Sequence, residues 1–119
     1  MSREIRDHQT NDANKQIRVL SDEPDPNNGN AAHYYEVTYG TLGVNLQFQH
    51  GPIGEVGVNG ITNEVLLAIV CDRLRGFQSS KFACRENALA LTKLEEAAMW
   101  LEARTKARTQ RGVEGTNKV

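Results

Sequence analysis

Residues 83–111 constrain the fold most, because they predict one long helix without an internal breaker. Apolar or small side chains recur along one stripe of this stretch, at Ala90, Leu91, Leu94, Ala98 and Leu101. No glycine or proline interrupts it before Gly112. At about 1.5 Å per residue the helix would be roughly 43 Å long, which is more than a small domain can cover. We therefore expect a second copy of the chain to bury part of it.

The last two turns of this helix are basic. Arg104, Arg108 and Arg111 follow one another at i, i+4 and i+7, so the three guanidinium groups share one face. Neither Arg104 nor Arg108 has an acidic residue three or four positions away, and we expect their partner to be another chain, water or an anionic ligand. The alternative is a solvated basic end that complements the helix dipole.

Composition limits the chain to one small domain. It has 119 residues, a net charge of -1 and 39% hydrophobic residues. The near-neutral charge argues against a protein that wraps DNA or RNA, which would carry a basic stripe. Because residues 1–32 are polar, few residues remain for a core. We therefore expect oligomerisation to bury additional apolar surface.

Targeting segments and metal motifs are not predicted. The start of the chain has no apolar signal region and no apolar run is long enough to span a bilayer, so we expect a cytoplasmic protein. Cys71 lies in an apolar run and is expected to be a buried free thiol. His8, His33 and His50 are scattered, so neither a metal site nor a cofactor is expected.

The first half of the chain predicts a flexible segment and then a small sheet. Residues 1–32 are expected to be flexible, with a linker at 22–30. Over residues 33–58, apolar and polar side chains alternate at 35–39 and 44–48 around a turn at 40–43, which predicts a β-hairpin. A short third strand is expected within 53–58.

The second half, residues 59–119, predicts a helical hairpin. A first helix is expected over about 62–75, capped by Thr62, closed by Gly76 and buried because it is apolar nearly all round. The second helix occupies 83–111. The predicted fold is therefore α+β: a small N-terminal antiparallel sheet followed by a long antiparallel helical hairpin that oligomerises through its helices.

Five short motifs resemble one family of phage proteins. They are GVNG (57–60), LLAIVCDRL (66–74), FACREN (82–87), KLEEAAMWL (93–101) and RGVEGTN (111–117). Together they closely resemble the bacteriophage Thoeris anti-defence family of the first type, which shares a helical hairpin with the second anti-CBASS protein family. The resemblance covers roughly residues 34–117.

The resemblance implies a sponge that binds immune signalling nucleotides and does not degrade them. The implied ligands are glycocyclic ADP-ribose isomers, and some relatives also take cyclic di- or trinucleotides at a separate site. It implies dimers that build hexamers, in the cytoplasm of the infected host. By the same resemblance, Phe77 stacks on the adenine, Asn87 is its polar partner, and Arg104 and Arg108 hold the phosphates. Thr105 and Arg111 belong to the same run and complete the expected site.

Helix geometry independently favours a site shared between two chains. Asn87 and Arg104 would lie about 25 Å apart along one helix, too far for one nucleotide to touch both. The connection between the two helices, residues 76–82, is called the hinge. If two hairpins pair antiparallel about a two-fold axis, the hinge of one meets the basic end of the other. Such a site would offer an aromatic face for a base and guanidinium groups for a pyrophosphate.

Three other functions stay open at this point. An enzyme that cleaves the same nucleotides is disfavoured, because no paired carboxylates, metal set or histidine accompany the basic cluster, and no catalytic residue is assigned. A nucleic-acid-binding protein is favoured only by the basic helix end. A structural coiled coil would bind no small molecule.

Overall fold

The computed structural model describes residues 2–119, which form two compact units. The sheet unit comprises residues 2–61, and the helical unit is Thr62–Val119. The sequence-based fold class is confirmed: an antiparallel sheet precedes a hairpin of two long helices. Oligomerisation through the helices stays a prediction.

The sheet unit is an antiparallel meander. In the described residues its strands are β1 (Arg3–Ile5), β2 (Ile17–Ser21), β3 (Tyr34–Tyr39) and β4 (Leu42–Gln47), in that spatial order. Val37 lies opposite Val19 on one side and Val44 on the other, so β-branched side chains form a row across one face. Val44 is exposed, so this apolar face is incompletely covered within the unit.

The expected flexibility of residues 1–32 is not met. β1 and β2 lie in this segment, together with a short helix α1 (Asp12–Lys15) whose first turn is capped by Asn11. The predicted linker at 22–30 is a turn closed by pairing between Asp25 and Ala31. The prediction from composition fails because β2 pairs with β3, and this pairing satisfies the backbone N–H and C=O groups of β2. A polar composition does not reveal such pairing.

The prediction of a third strand within 53–58 is wrong. This stretch contains a short helix, α2 (Ile53–Val56), which begins after Pro52. The chain instead returns to the sheet at Ile61, which forms a parallel bridge with Phe48. Gly60 makes this approach feasible, since a Cβ atom at that position would lie 2.4 Å from the Phe48 carbonyl carbon.

The helical unit consists of α3 (Asn63–Gln78) and α4 (Arg85–Gln110). The Thr62 cap is confirmed, because its side chain accepts a hydrogen bond from the backbone N–H of Val65. The predicted end of the first helix at Gly76 is too early, because Gly76 lies inside α3, which continues for two more residues. None of the described helices is both long and apolar enough to cross a membrane.

Within a single chain, packing of the two helices against each other buries few side chains. Cys71 is buried and free, as expected. Arg75 and Glu95 join the helices through an ion pair of 2.9 Å. However, Ile69 of α3 is 58% exposed and Trp100 of α4 is 65% exposed, so the expectation that α3 is buried on all sides is not met within a single chain.

Candidate functional site

An open cavity at the C-terminal end of α4 is lined by three arginines. Arg104 and Arg111 surround a space of about 260 Å³ together with Ala107, Arg108 and Val119. Within residues 2–119, neither Arg104 nor Arg111 has an ion-pair or side-chain hydrogen-bond partner. The cavity is slightly smaller than the roughly 300–1,000 Å³ usual for small-molecule sites. It therefore resembles part of a ligand site.

Arg108 has a different environment from its two neighbours, because it is only 8% exposed. Its Nε donates to Glu114 at 3.2 Å, and its Nη1 donates to the Lys118 carbonyl at 2.7 Å. Its Nη2 donates to the carbonyls of Val113 and Thr116 at 3.0 and 3.1 Å. Since a guanidinium has five N–H groups, Arg108 retains only one for a ligand.

The expectation that the partner of Arg108 lies outside its own chain is therefore wrong. The segment after α4 folds back over this side chain, beginning with a left-handed Gly112 at φ 72°. The N–H groups of Gly112 and Val113 donate to the carbonyls of Thr109 and Arg108, which is the Schellman pattern of a helix end. A search for partners three or four positions away cannot find a contact made by such a reversal.

The remaining polar residues of the basic end are exposed. The Thr105 carbonyl accepts a hydrogen bond of 2.9 Å from the Thr109 hydroxyl. Lys106 forms an ion pair with Glu102 at 3.1 Å. Among the described basic residues of the last two turns, this leaves Arg104 and Arg111 without partners.

Phe77 lies at the opposite end of the hairpin, in the last turn of α3. Its ring is 36% exposed, which rules out a deeply buried plug in the single chain. The Arg73 guanidinium carbon lies 5.2 Å from the ring centroid, and the Phe82 ring meets it edge-on at 6.4 Å. The ring is partly exposed and already contacts one planar cation, the Arg73 guanidinium. It is therefore suited to stacking on another planar group.

Asn87 lies in the first turn of α4, near the same end of the hairpin as Phe77. Its backbone N–H is capped by the Cys84 Sγ at 3.4 Å. Its side-chain amide has no hydrogen-bond partner within the described part of the chain. Asn87 and Arg104 lie roughly 25 Å apart along α4, so one chain does not bring the two halves of the expected site together.

One cluster was missed by the sequence analysis. Asp25, His33 and His50 each place a ligand atom within 4.8 Å of the others. Its two histidines are far apart in the sequence, which does not predict that they share a site. The spacing of the three residues matches no metal motif, because Asp25 and His33 lie in the connection between β2 and β3, and the pairing of β3 with β4 brings His50 beside them.

Comparison with known proteins identifies relatives of the helical hairpin. The family model described as Acb2/Tad1, hairpin domain, matches residues 44–106, more than half of the chain. Thoeris anti-defense 1 from Bacillus phage SBSphiJ7 is 61% identical over 72 residues. That alignment covers 60% of this chain and 51% of the relative, so it spans about half of the relative's length.

Proposed function

Because the chain belongs to the Acb2/Tad1 hairpin-domain family, we propose that it is a phage anti-defence protein that sequesters a cyclic ADP-ribose-type immune signal. It would act in the host cytoplasm by holding glycocyclic ADP-ribose intact, which keeps the signal from the Thoeris system. The observation that carries this proposal is the open cavity lined by Arg104 and Arg111, whose guanidinium groups have no partner among residues 2–119. The name of the phage relative connects that protein with Thoeris anti-defence.

The basic cavity is suited to a pyrophosphate. Arg104 and Arg111 are free to form charge-assisted, bidentate contacts with phosphate oxygens. Arg108 contributes its remaining N–H and its positive charge, while its other donors hold the segment after α4 in place. Thr105 lies beside these arginines and offers a hydroxyl donor.

The hinge end is suited to the adenine. In the proposed complex the base stacks on Phe77 and receives a hydrogen bond from the free amide of Asn87. Stacking of a base on an aromatic side chain contributes about 1–3 kcal/mol. Arg73 either moves off the ring or covers it from the other face.

The complete site needs two copies of the chain. Antiparallel pairing of two hairpins places the hinge of one beside the basic end of its partner. Exposed apolar residues are available for this pairing on both helices, including Ile69, Leu89, Met99 and Trp100. We propose such dimers as the binding unit and, following the family resemblance, a hexamer built from them. Cyclic di- or trinucleotides would bind at a separate site.

Sequestration fits the cavity better than cleavage does. Among the described residues that line it, there is no carboxylate, imidazole or thiol side chain to act as a base or nucleophile. Glu114, the nearby acid, is already paired with Arg108.

The test measures depletion and recovery of the signal. Purified protein is incubated with glycocyclic ADP-ribose, the free ligand is quantified after ultrafiltration, and the protein is then denatured. We expect the ligand to disappear from the filtrate and to return chemically unchanged. Recovery of a cleaved product would show an enzyme instead. Ligand that stays in the filtrate would contradict the proposal.

Arg104→Ala and Lys106→Ala form a matched pair for this assay. Both remove one positive charge from the same end of α4, but Lys106 is paired with Glu102 and does not line the cavity. We expect Arg104→Ala to lose binding and Lys106→Ala to retain it. Equal losses would point to nonspecific attraction of an anion.

A further inference from the structure

The cluster of Asp25, His33 and His50 lies at one end of the sheet unit and takes no part in the proposed signal site. The His50 Nε2 atom is 2.8 Å from the Asp25 Oδ2 atom. The rings of His33 and His50 stack with centroids 4.5 Å apart and planes inclined by 14°. Two imidazoles and a carboxylate thus converge from three separate positions in the chain.

The backbone holds Asp25 firmly in the turn between β2 and β3. Its N–H donates to the Ala31 carbonyl at 2.9 Å, which closes the turn. Its carboxylate accepts hydrogen bonds from the Asn28 side chain and the Asn27 backbone at 2.8 and 2.9 Å. These bonds, together with that from His50, lower the pKa of Asp25 to about 2. The carboxylate is therefore ionised at neutral pH.

The two histidines flank the β3 and β4 pairing. The His33 carbonyl accepts a hydrogen bond of 2.7 Å from the N–H of Phe48, which continues the ladder beyond the strands. His50 follows β4, and its backbone N–H and carbonyl both bond the Asn59 side chain, at 2.8 and 2.7 Å. His33 Nε2 bonds the Asn28 carbonyl at 3.2 Å. A hydrogen bond from a ring N–H to a carbonyl is the usual way in which a metal-binding histidine is oriented.

We propose that Asp25, His33 and His50 form a binding site for a divalent transition-metal ion, with Zn²⁺ as the first candidate. Two imidazole nitrogens and one carboxylate oxygen form a ligand set that zinc commonly uses. Three protein ligands leave a fourth tetrahedral position for water.

Metal binding requires only a local rearrangement. Ligand atoms around tetrahedral zinc lie about 3.3 Å from one another, because zinc to nitrogen or oxygen distances are about 2.0–2.2 Å. The ligand atoms already lie within 4.8 Å of one another, so the stacked rings must tilt for both nitrogens to reach one ion. The His50 side chain is 49% exposed, so solvent rather than protein lies on part of its surface and leaves room for this movement.

A metal ion bound at this site would stabilise the sheet unit by crosslinking it. It would link the β2 to β3 turn, the start of β3 and the segment after β4. Among the apolar side chains that the structure describes in this unit, only Ala32 is buried, so a crosslink would add stability that the core supplies poorly. Binding to the folded form alone raises the melting temperature in proportion to the logarithm of metal concentration.

Co²⁺ titration of the untagged, chelator-treated full chain tests the site. Saturable binding of one ion per chain, with the visible bands of low-symmetry Co²⁺ and displacement by Zn²⁺, is expected. His50→Gln and Asp25→Asn should each weaken binding at least about 100-fold, since losing even an indirect supporting group costs about 10–100-fold. His8→Gln is the matched control, because His8 bonds the Ile17 carbonyl and lies outside the cluster.

A second readout needs no variant. In the wild-type protein, Zn²⁺ should shift the imidazole nitrogen resonances of His33 and His50 and leave those of His8 unchanged. Absence of saturable binding, or binding that His50→Gln retains, would overturn the proposal. A Zn²⁺ shift at His8 alone would do the same. Signal binding is assayed separately, so its failure would leave these outcomes unaffected.

Discussion

Arg104 and Arg108 are one helical turn apart and carry the same side chain, but they have different roles in the structure. Arg104 lines the cavity and has no side-chain partner in the described part of the chain, whereas Arg108 is buried and makes four hydrogen bonds to the segment that follows α4. The same substitution should therefore affect binding at one position and stability at the other.

Arg108→Ala should destabilise the helical unit by about 1–3 kcal/mol, because it leaves part-buried carbonyls and the Glu114 carboxylate without their donor. Arg104→Ala should leave stability unchanged within about 0.5 kcal/mol, as is usual for an exposed site without such contacts. Urea unfolding followed by the helical circular dichroism signal compares the two. Equal midpoints would contradict the anchoring role of Arg108.

Phe77→Leu should weaken signal binding about 5-fold to 100-fold, since stacking on a ring is lost while an apolar side chain is kept. Phe77→Tyr keeps the ring and should bind nearly as well as the wild type. Isothermal titration calorimetry measures both variants. If Phe77→Tyr and Phe77→Leu weaken binding equally, the ring is not a stacking platform.

Asp25 should make the stability of the sheet unit depend on pH in the acid range. Its pKa falls from 3.8 in the unfolded chain to about 2 in the folded chain, so the folded state favours the ionised carboxylate. The resulting stabilisation is complete above pH 3.8 and is lost as pH falls towards 2. Asp25→Asn should remove this part of the pH dependence, as measured by metal-free thermal unfolding between these values. An unchanged profile would contradict the assigned pKa.

At the scale of elements, two glycines play opposite roles. Gly60 lies where the chain passes so close to β4 that a Cβ atom would meet the carbonyls of Gln47 and Phe48 at 2.7 and 2.5 Å. Gly76 lies within α3, where a Cβ atom would meet nothing within 4 Å. Only the first needs to be a glycine for steric reasons.

Gly60→Ala should destabilise the sheet unit by at least about 1–3 kcal/mol, because the backbone must shift to relieve the overlap. Gly76→Ala should stabilise the helical unit by roughly 0.5–1 kcal/mol through its helix propensity. Chemical unfolding of each variant beside the wild type gives both values. A neutral Gly60→Ala would show that the bridge between Phe48 and Ile61 is not maintained.

The chain exposes more apolar surface than a stable monomer should. Trp100, Ile69 and several other large apolar side chains are exposed on the helices. We expect sedimentation at micromolar concentration to show a dimer or a larger assembly. A stable monomer would remove the basis for a shared site.

Mixing two defective variants tests whether the site joins two chains. In a heterodimer of Phe77→Ala and Arg104→Ala chains, one site carries both defects and the other carries neither. Each heterodimer should bind through its intact site, so a fully exchanged equimolar mixture should recover about a quarter of wild-type capacity. No recovery despite verified exchange would show that hinge and basic end do not meet in one site.

The elements that depend on local patterns could be predicted from the amino-acid order alone. The long helix α4, the Thr62 cap and the hairpin of β3 and β4 follow from periodicity, capping chemistry and turn residues, all of which act within a few positions. The family motifs were also readable, because each consists of consecutive residues. The absence of acidic residues three or four positions away did not distinguish Arg104 from Arg108.

Features that depend on contacts between distant positions became visible in the folded chain. The strands β1 and β2 are stabilised by backbone pairing with partners far along the chain, and no composition reveals that pairing. The capture of Arg108 depends on a chain reversal after Gly112, and the grouping of Asp25, His33 and His50 depends on the register of the sheet. Hydrogen bonds and ligand clusters form between groups that are near in space, and spacing along the chain specifies nearness only within a single regular element.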